Sequence, residues 1–426
     1  MALCISALVV FGNLRHSHPA LIYLFFHVTV ISIRIYGIMM GSPMLFSQWE
    51  WSRPVTYSEV QRAVLFADGA LVVMTFAWIL ASYRDCLRHG PMPPLGSEGP
   101  HTLSKSIIWI VFVITFPIGL VSFVLLSRFP GVGNLLPIEL PRTAWIGITQ
   151  MWAGLGLIAL IYLHGFKWRY TIPLYIYLFF QLVQGFHRFR FLIPVILLSQ
   201  IYLDRAGRRW PTLRIVLIFA VAFALFFPMK SIGQMYQAGV PVGQIFTHSA
   251  KVIQDSSAQF PFLDEFAASL TLIDENGKWF YGRKWFDTVF LMWIPRPLWP
   301  NKPHMIGFIQ EISTHERPMA KMGMVVTFLG DAYAHFRYIG GIFVPFLLAY
   351  FSGVAFFRAY RSSYFSIARF FYLLFACNLI QAYRDGIQSI VTFIAVNMMP
   401  LLIVVLLHGV IPRGQKRCPQ DRRFSQ

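Results

Sequence analysis

Charged residues are scarce in this chain of 426 amino acids, in which Asp, Glu, Lys and Arg together make up only 13% of the sequence. Soluble domains carry about 25%. Hydrophobic residues account for 56% of the chain, and the mean hydropathy is +0.57. These values exclude an ordinary soluble enzyme and predict an all-α, polytopic integral membrane protein.

Acidic residues are fewer than basic ones, with 18 Asp and Glu against 36 Lys and Arg and a formal net charge of +18. In a soluble protein this excess would favour a nucleic-acid partner. In an integral membrane protein, Lys and Arg concentrate in the cytoplasmic loops instead. Because no nucleic-acid-binding module is visible, we predict no nucleic-acid partner.

Paired cysteines are also absent, because Cys4, Cys86, Cys377 and Cys418 lie far apart in the sequence. This spacing excludes a disulfide framework or a cysteine zinc site. The first thirteen residues are apolar but lack a basic segment and a cleavage site. They predict a short first helix or a truncated start rather than a signal peptide.

Long apolar runs are abundant, and a membrane span needs about 20 such residues. Charged breaks divide the runs into eleven predicted spans, of which the first, sixth and seventh are short. They cover residues 2–14, 19–41, 60–83, 105–127, 143–163, 170–184, 188–204, 212–229, 338–358, 364–382 and 388–410.

Basic residues mark alternate loops and therefore predict the orientation of the spans. The tail, residues 411–426, carries five Lys and Arg and is predicted to be cytoplasmic. Counting back places residues 230–337 on the outer face as the one long loop. The predicted regions are an N-terminal bundle of about eight spans (1–229), the outer loop (230–337), the C-terminal spans (338–410) and the basic tail.

Two short outer loops carry charges that need an explanation. In QGFHRFRF (184–191), His187, Arg188 and Arg190 either reach lipid headgroups or bind a phosphate-rich ligand. In AYRDGIQ (382–388), Arg384 stands beside Asp385, and a local ion pair is the favoured interpretation.

Arg34 and Asp68 fall inside the second and third predicted spans. Charges within a bilayer are costly, so they pair with one another or line a polar cavity. An Arg34–Asp68 ion pair is the simpler prediction, and a place in a substrate cavity is the alternative.

The long loop combines apolar helical periodicity with aromatic residues, which predicts that much of it lies along the membrane surface. Its acidic doublets, Asp264–Glu265 and Asp274–Glu275, have no histidine beside them. They are a weak metal signal, and helix caps and solvated turns explain them more simply. We predict no metal and no cofactor.

The segment WIPRPLWPNKPH (293–304) holds four prolines, which exclude a regular helix. A residue that precedes proline is restricted to extended geometry, and both Arg296 and Lys302 do so. Held cations at a membrane surface would suit a lipid-linked phosphate. The alternative is a rigid connector anchored by Trp293 and Trp299; His304 is a weaker candidate for chemistry.

Asp331 and His335 precede the ninth predicted span, followed by Arg337 and then Gly340–Gly341, which allow a close backbone approach. A spacing of four places the carboxylate and the imidazole on one face of a helix. Such a pair serves equally well as a general base or as a structural hydrogen bond, and both interpretations stay open.

Three segments together resemble the bacterial O-antigen and oligosaccharide repeat-unit polymerases of the Wzy type. They are GRKW (282–285), IPRPLWPNKP (294–303) and FLGDAYAHFRYIGG (328–341). The chain differs from the family pattern in having Asp331 in place of glutamate and His335-Phe336-Arg337 where the family has an asparagine-like position.

The resemblance implies a metal-independent glycosyltransferase of the GT-C type in the bacterial inner membrane. It would transfer a growing glycan from undecaprenyl pyrophosphate to an incoming lipid-linked repeat unit, with a flippase and a chain-length regulator as partners. A flippase and an O-antigen ligase are the alternatives. The implied pyrophosphate-binding cations are Arg188, Arg190, Arg296, Lys302 and Arg384; the implied base is Asp331 or His335; and Trp279, Trp285, Trp293 and Trp299 could line the sugar path.

Overall fold

The computed structural model describes residues 1–41, 55–93, 105–126, 149–184, 188–226, 262–291, 326–362, 366–390 and 396–410, with a few single positions between 235 and 301. In these ranges the chain is 84% helix and has no strand. This confirms the predicted all-α class.

Two of the described helices contain or continue into π-helical segments. Helix α2 contains a π-helical segment, Val28–Ser32, and α10 continues into another, Asp287–Leu291. The helices are α1 (Ala2–Phe11), α2 (Pro19–Met39), α3 (Tyr57–His89), α4 (Lys105–Leu126), α5 (Met151–His164), α6 (Trp168–Gln184), α7 (Arg188–Arg205), α8 (Leu213–Phe226), α9 (Phe262–Asn276), α10 (Arg283–Phe286), α11 (Thr327–Arg361), α12 (Ile367–Asp385) and α13 (Val396–Val410).

Among the described residues, four helices are long and apolar enough to cross a membrane: α2, α3, α4 and α11. Helices α1 and α5 are apolar but shorter. These helices support a membrane protein. The predicted short spans at 170–184 and 188–204 coincide with α6 and α7, while the total of eleven spans stays a prediction.

Helices α3 and α11 run side by side in the same direction. The Trp78 indole donates to Ser352 Oγ at 3.3 Å, and further along Arg361 pairs with Asp85 at 2.7 Å. Helix α12 runs the opposite way, because Arg369 near its start donates to the Ala359 carbonyl. These directions agree with the predicted alternation of spans. We call the end of the bundle at which α9 packs the α9 end.

Helix α9 is enclosed by its neighbours at this end, and residues 263–270 are all buried. Near its start, Asp264 accepts from Arg34 of α2 at 2.6 Å, with both side chains almost fully buried. Near its end, Asp274 pairs with Arg62 of α3 at 2.6 Å. A solvated turn is therefore the wrong prediction for Asp264, which lies in the first turn of α9 and is buried against Arg34. Asp274 and Glu275 are exposed, as predicted. The position of the long loop relative to the membrane stays a prediction.

The predicted Arg34–Asp68 ion pair is also wrong. Asp68 lies instead against His27, with 3.0 Å between the carboxylate and Nε2, and its side chain is half exposed. The partner of Arg34 comes from the long loop, 230 residues away. Sequence position alone could not favour that partner over a charge in the neighbouring span.

Helix α11 is broken at Phe336 and Arg337, whose backbone angles are not helical. Beyond the break the chain turns back sharply, and a Cβ on Gly340 would lie 2.2 Å from the Ala332 carbonyl oxygen. The predicted close approach at Gly340 is confirmed. The helical piece before the break, residues 327–335, was not predicted as part of this helix, and every residue in it is buried.

We expect Gly340→Ala to lower the free energy of unfolding by about 1–3 kcal/mol, because the new methyl group would overlap the Ala332 backbone. Unfolding in mixed detergent micelles measures this. Gly69→Ala is the matched control, since a Cβ there meets no atom within 4 Å. It should raise stability by up to about 1 kcal/mol. Equal effects of the two changes would contradict the close packing at the break.

At the opposite end of the bundle, a buried cluster ties four parts of the chain together. Arg369 donates to both Asp204 oxygens, at 2.9 and 3.0 Å, and the Tyr360 hydroxyl donates to Asp204 at 2.9 Å. His16 Nε2 lies 3.2 Å from the same carboxylate. A buried charge needs several such partners, so this cluster holds α7, α11 and α12 against the segment between α1 and α2.

Candidate functional site

The Asp331 carboxylate lies in the interior at the α9 end and is 2% exposed. Its Oδ2 accepts a hydrogen bond from the Trp285 indole at 3.0 Å and another from the Ile387 amide at 2.8 Å. Among the described residues, its Oδ1 has no hydrogen-bond partner. One oxygen is thus held by two donors, while the other is available for a proton or a ligand.

His335 lies one helical turn further on and is fully buried. Its Nε2 is 4.0 Å from Asp331 Oδ1, which is too long for a hydrogen bond. Neither imidazole nitrogen has a hydrogen-bond partner in the described part of the chain. Buried polar atoms without partners are uncommon in native structures and call for an explanation. The site therefore has unused hydrogen-bonding capacity on both side chains.

Aromatic rings cover the imidazole from the side of α10. The Trp285 ring centroid lies 4.3 Å from that of His335, and the Phe280 ring lies 5.8 Å from it. Trp285 therefore has two roles: its indole N–H binds the carboxylate and its ring covers the imidazole. The pair is closed off from solvent in this conformation.

Backbone hydrogen bonds fix the segment before α10 against the site. The Phe280 and Tyr281 amides donate to the Ala334 and His335 carbonyls, each at 3.2 Å. Carbonyls at the end of a helix have no intrahelical donor, so this segment caps the helical piece that carries Asp331 and His335. The cap places Trp285 over the pair.

Gly386 positions the third segment of the site. Its φ of 95° favours glycine, and a Cβ there would lie only 2.8 Å from Asp331 Oδ2. Only a residue without a side chain lets the following Ile387 amide point at the carboxylate. The loop AYRDGIQ therefore reaches the site through its backbone.

Three segments that stand out in the sequence converge here. Trp285 comes from GRKW, Asp331 and His335 from FLGDAYAHFRYIGG, and Ile387 from AYRDGIQ. Sequence reasoning singled out each segment but did not predict that Trp285 and the Ile387 amide bind Asp331. No local signal could show this, since 46 and 56 residues separate the partners.

The structure describes some of the predicted phosphate-binding cations and not others. Arg384 lies 3.3 Å from Asp385, which confirms the local ion pair, and its guanidinium lies 5.6 Å from the Phe262 ring centroid. Arg188 and Arg190 begin α7, but the placement of their side chains is outside the described structure. Also outside the described residues are His187, Trp293, Arg296, Lys302 and His304.

Two arginines near the site had no predicted role. Arg62 pairs with Asp274 and donates to the Tyr333 hydroxyl at 2.6 Å. Arg337 is exposed, and its guanidinium lies 4.0 Å from the centroid of the Trp279 ring. Their signal in the sequence is a basic residue at the predicted outer end of a span, where positive charge is disfavoured.

In the ranges that the structure describes, no three His, Cys, Asp or Glu side chains come together as ligands for a metal ion. The fold and the site define a helical membrane protein with a buried carboxylate–imidazole pair at one end of its bundle. No family model, curated protein or solved structure matches the chain.

Proposed function

We propose that this protein is a membrane glycosyltransferase of the repeat-unit polymerase type, which joins glycans carried on a polyprenyl diphosphate lipid. The observation that carries the proposal is the hydrogen bond from Trp285 to Asp331. It joins two of the three segments that resemble the Wzy-type polymerases around one acid–base pair. If each segment resembled the family only by chance, there would be no reason for the segments to be in contact.

The proposed reaction is a displacement at the sugar carbon that bears the lipid diphosphate. A hydroxyl oxygen of the incoming lipid-linked repeat unit attacks this anomeric carbon, and a new glycosidic bond forms. The bond from carbon to diphosphate oxygen breaks, and the polyprenyl diphosphate leaves with the electron pair. The hydroxyl proton passes to Asp331 Oδ1, the oxygen that no described residue engages in a hydrogen bond.

Charge builds up on the leaving diphosphate, so cations placed there speed the reaction. Arg296 and Lys302 of the proline-rich segment are the first candidates for this role, with Arg188 and Arg190 from the start of α7. Arg384 is the fifth candidate and is engaged with Asp385 in this conformation.

Trp285 covers the acid–base pair, so an acceptor hydroxyl reaches Asp331 only after the indole moves away. Gly282, directly before α10, offers a place for that movement, because glycine adopts a wide range of backbone angles. Closing over the acceptor would exclude water, which would otherwise hydrolyse the donor. The GRKW segment is thus proposed to close the site as well as to position the acid.

The proposal extends to the setting of the protein. It places the chain in the bacterial inner membrane with about eleven spans in a GT-C-like arrangement, the α9 end facing outward and the C-terminus in the cytoplasm. A flippase that delivers the lipid-linked repeat unit and a chain-length regulator are the proposed partners.

The experiment uses purified protein in liposomes with a lipid-linked repeat unit and a chelator in place of divalent metal. A ladder of longer glycans would support polymerisation. Movement of the substrate across the bilayer without elongation would favour a flippase. Transfer of finished chains to a lipid A core would favour a ligase.

In this assay we expect Arg296→Ala to reduce elongation by about 10- to 100-fold, the effect of losing one charge-assisted hydrogen bond to phosphate. The matched control is Arg214→Ala, which removes an exposed arginine at the opposite end of the bundle and should leave elongation unchanged. Full-length ladders from Arg296→Ala would exclude its role with the diphosphate.

A further inference from the structure

A groove with a volume of about 640 Å³ runs between α3 and α11 at the α9 end. The polar residues Ser58, Gln61 and Arg62 stand at one end of it, and apolar residues such as Leu65 and Val73 line the remainder. Its chemistry therefore changes from polar to apolar along its length. A lipid with a polar head and a hydrocarbon tail has the same order.

Gly69 keeps part of the groove open. It lies in the middle of α3, and glycine destabilises the interior of a helix. A Cβ added to it would meet no atom within 4 Å. Packing between the helices does not explain this glycine. An occupant of the groove would explain it.

Arg337 stands next to the groove, directly before Tyr338, which lines it. Its backbone has φ 53° and ψ −141°, a conformation that favours glycine. Strain of this kind persists where the surrounding structure imposes it, and it is concentrated at functional sites. The chain therefore keeps an arginine where glycine would fit the backbone better.

A ladder of aromatic rings connects the Arg337 side chain to Tyr338, which lines the groove. Its guanidinium lies over the Trp279 ring, and Trp279 packs on Tyr333 at 5.8 Å. Tyr333 in turn packs on Tyr338 at 5.3 Å. The guanidinium remains exposed. By contrast, the neighbouring Arg62 is engaged by Asp274 and Tyr333.

We propose that Arg337 and the α3–α11 groove together bind the polyprenyl phosphate lipid, with its phosphate on Arg337 and its hydrocarbon chain along the groove. The inference rests on the proposed function, names a site for the hydrocarbon chain of its lipid carrier, and adds Arg337 to the cations proposed for the carrier's diphosphate. A guanidinium binds phosphate with two hydrogen bonds and stays charged. The groove passes from polar to apolar lining residues, as such a lipid passes from phosphate to hydrocarbon.

Two variants test the cation and the groove separately, and neither is expected to destabilise the protein. Arg337→Gly removes the cation and relieves the backbone, so its thermal stability should equal or exceed that of the original protein. Gly69→Leu fills the groove from a position with open space and favours the helix. Lost binding in either variant would then not come from misfolding.

Binding of a long-chain polyprenyl phosphate to the detergent-purified full chain is measured by native mass spectrometry. We expect Arg337→Gly and Gly69→Leu each to weaken binding at least tenfold, and Arg337→Lys to weaken it less. Lys278→Gln is the matched control, because Lys278 is exposed and adjoins Trp279. It should bind as the original protein does.

Competitors identify the part of the ligand that the site recognises. Polyprenol without phosphate should compete poorly for the original protein, and so should inorganic diphosphate. Equal competition by phosphatidylglycerol would overturn the assignment to a polyprenyl lipid. Unchanged binding in Arg337→Gly or in Gly69→Leu would overturn the site itself.

The outcome is separable from the fate of the proposed function. If the protein elongates glycans but both variants bind the lipid normally, the polymerase proposal stands and this site is wrong. If the variants lose lipid binding but the original protein shows no elongation, the lipid site stands and the polymerase proposal is wrong.

Discussion

Asp331→Asn is expected to lower glycan elongation by about 10²- to 10⁴-fold, the usual contribution of a general base. The amide oxygen can still accept from Trp285 and Ile387, which hold Oδ2 in the original protein. Its NH₂ group would take the place of the partnerless Oδ1 and point towards His335. Folding should therefore be unimpaired while the proton acceptor is lost. Initial rates and thermal unfolding measured on the same preparation separate the two effects.

His335→Gln is the comparison that assigns the base. We expect it to lose less activity than Asp331→Asn, because His335 Nε2 lies 4.0 Å from Asp331 Oδ1 and makes no hydrogen bond to the carboxylate. The reverse ranking would assign the base to His335. Full activity in both variants would reduce the pair to a structural role.

Arg34→Ala is expected to cost about 3–5 kcal/mol of stability, because it leaves the Asp264 carboxylate buried without its arginine. The same change should loosen α9 at the end where Asp264 holds it. Unfolding in mixed micelles measures the loss of stability. Protease sensitivity of the long loop measures the release of α9.

Two further variants test whether the unpaired Asp264 carboxylate causes the loss of stability. Replacing both partners, Arg34→Met with Asp264→Leu, should recover most of the stability, because an apolar pair of similar volume leaves no buried charge. Asp68→Asn should cost less than about 1 kcal/mol, since Asp68 is half exposed and does not pair with Arg34. A large loss in Asp68→Asn together with a small one in Arg34→Ala would contradict the observed pairing.

Predictions from the local sequence pattern agree with the structure where the feature is formed within one segment of the chain. The apolar runs predicted helices, and α6 and α7 begin and end within two residues of the predicted spans. The Arg384–Asp385 pair needed only adjacent residues, and the close approach at Gly340 needed only a glycine. Each of these features depends on residues that are neighbours along the chain.

Predictions of long-range partners were wrong or absent. Asp264 was assigned to a helix cap or a solvated turn; it lies in the first turn of α9 but is buried against Arg34. Asp274 is exposed as predicted, yet its contacts with Arg62 and Tyr333 were not predicted. Both partners were missed for one reason: an acidic residue in a polar-looking loop has no local sign of the arginine that a distant helix brings to it.

The candidate site shows the same division. The spacing of Asp331 and His335 placed them on one helical face, and that needed no tertiary structure. Which Asp331 oxygen accepts hydrogen bonds was decided by Trp285 and Ile387, contributed by two distant segments. This difference between the two oxygens determines which of them could accept a proton.

By itself, the sequence determined that this is a helical membrane protein and which segments carry unusual chemistry, because hydropathy and spacing are properties of neighbouring residues. Only the tertiary structure decided how these segments meet: which arginine neutralises which buried acid, which indole covers the imidazole, and where a strained arginine borders an apolar groove. Contacts of this kind depend on how the helices pack, and helical periodicity does not specify which helices become neighbours.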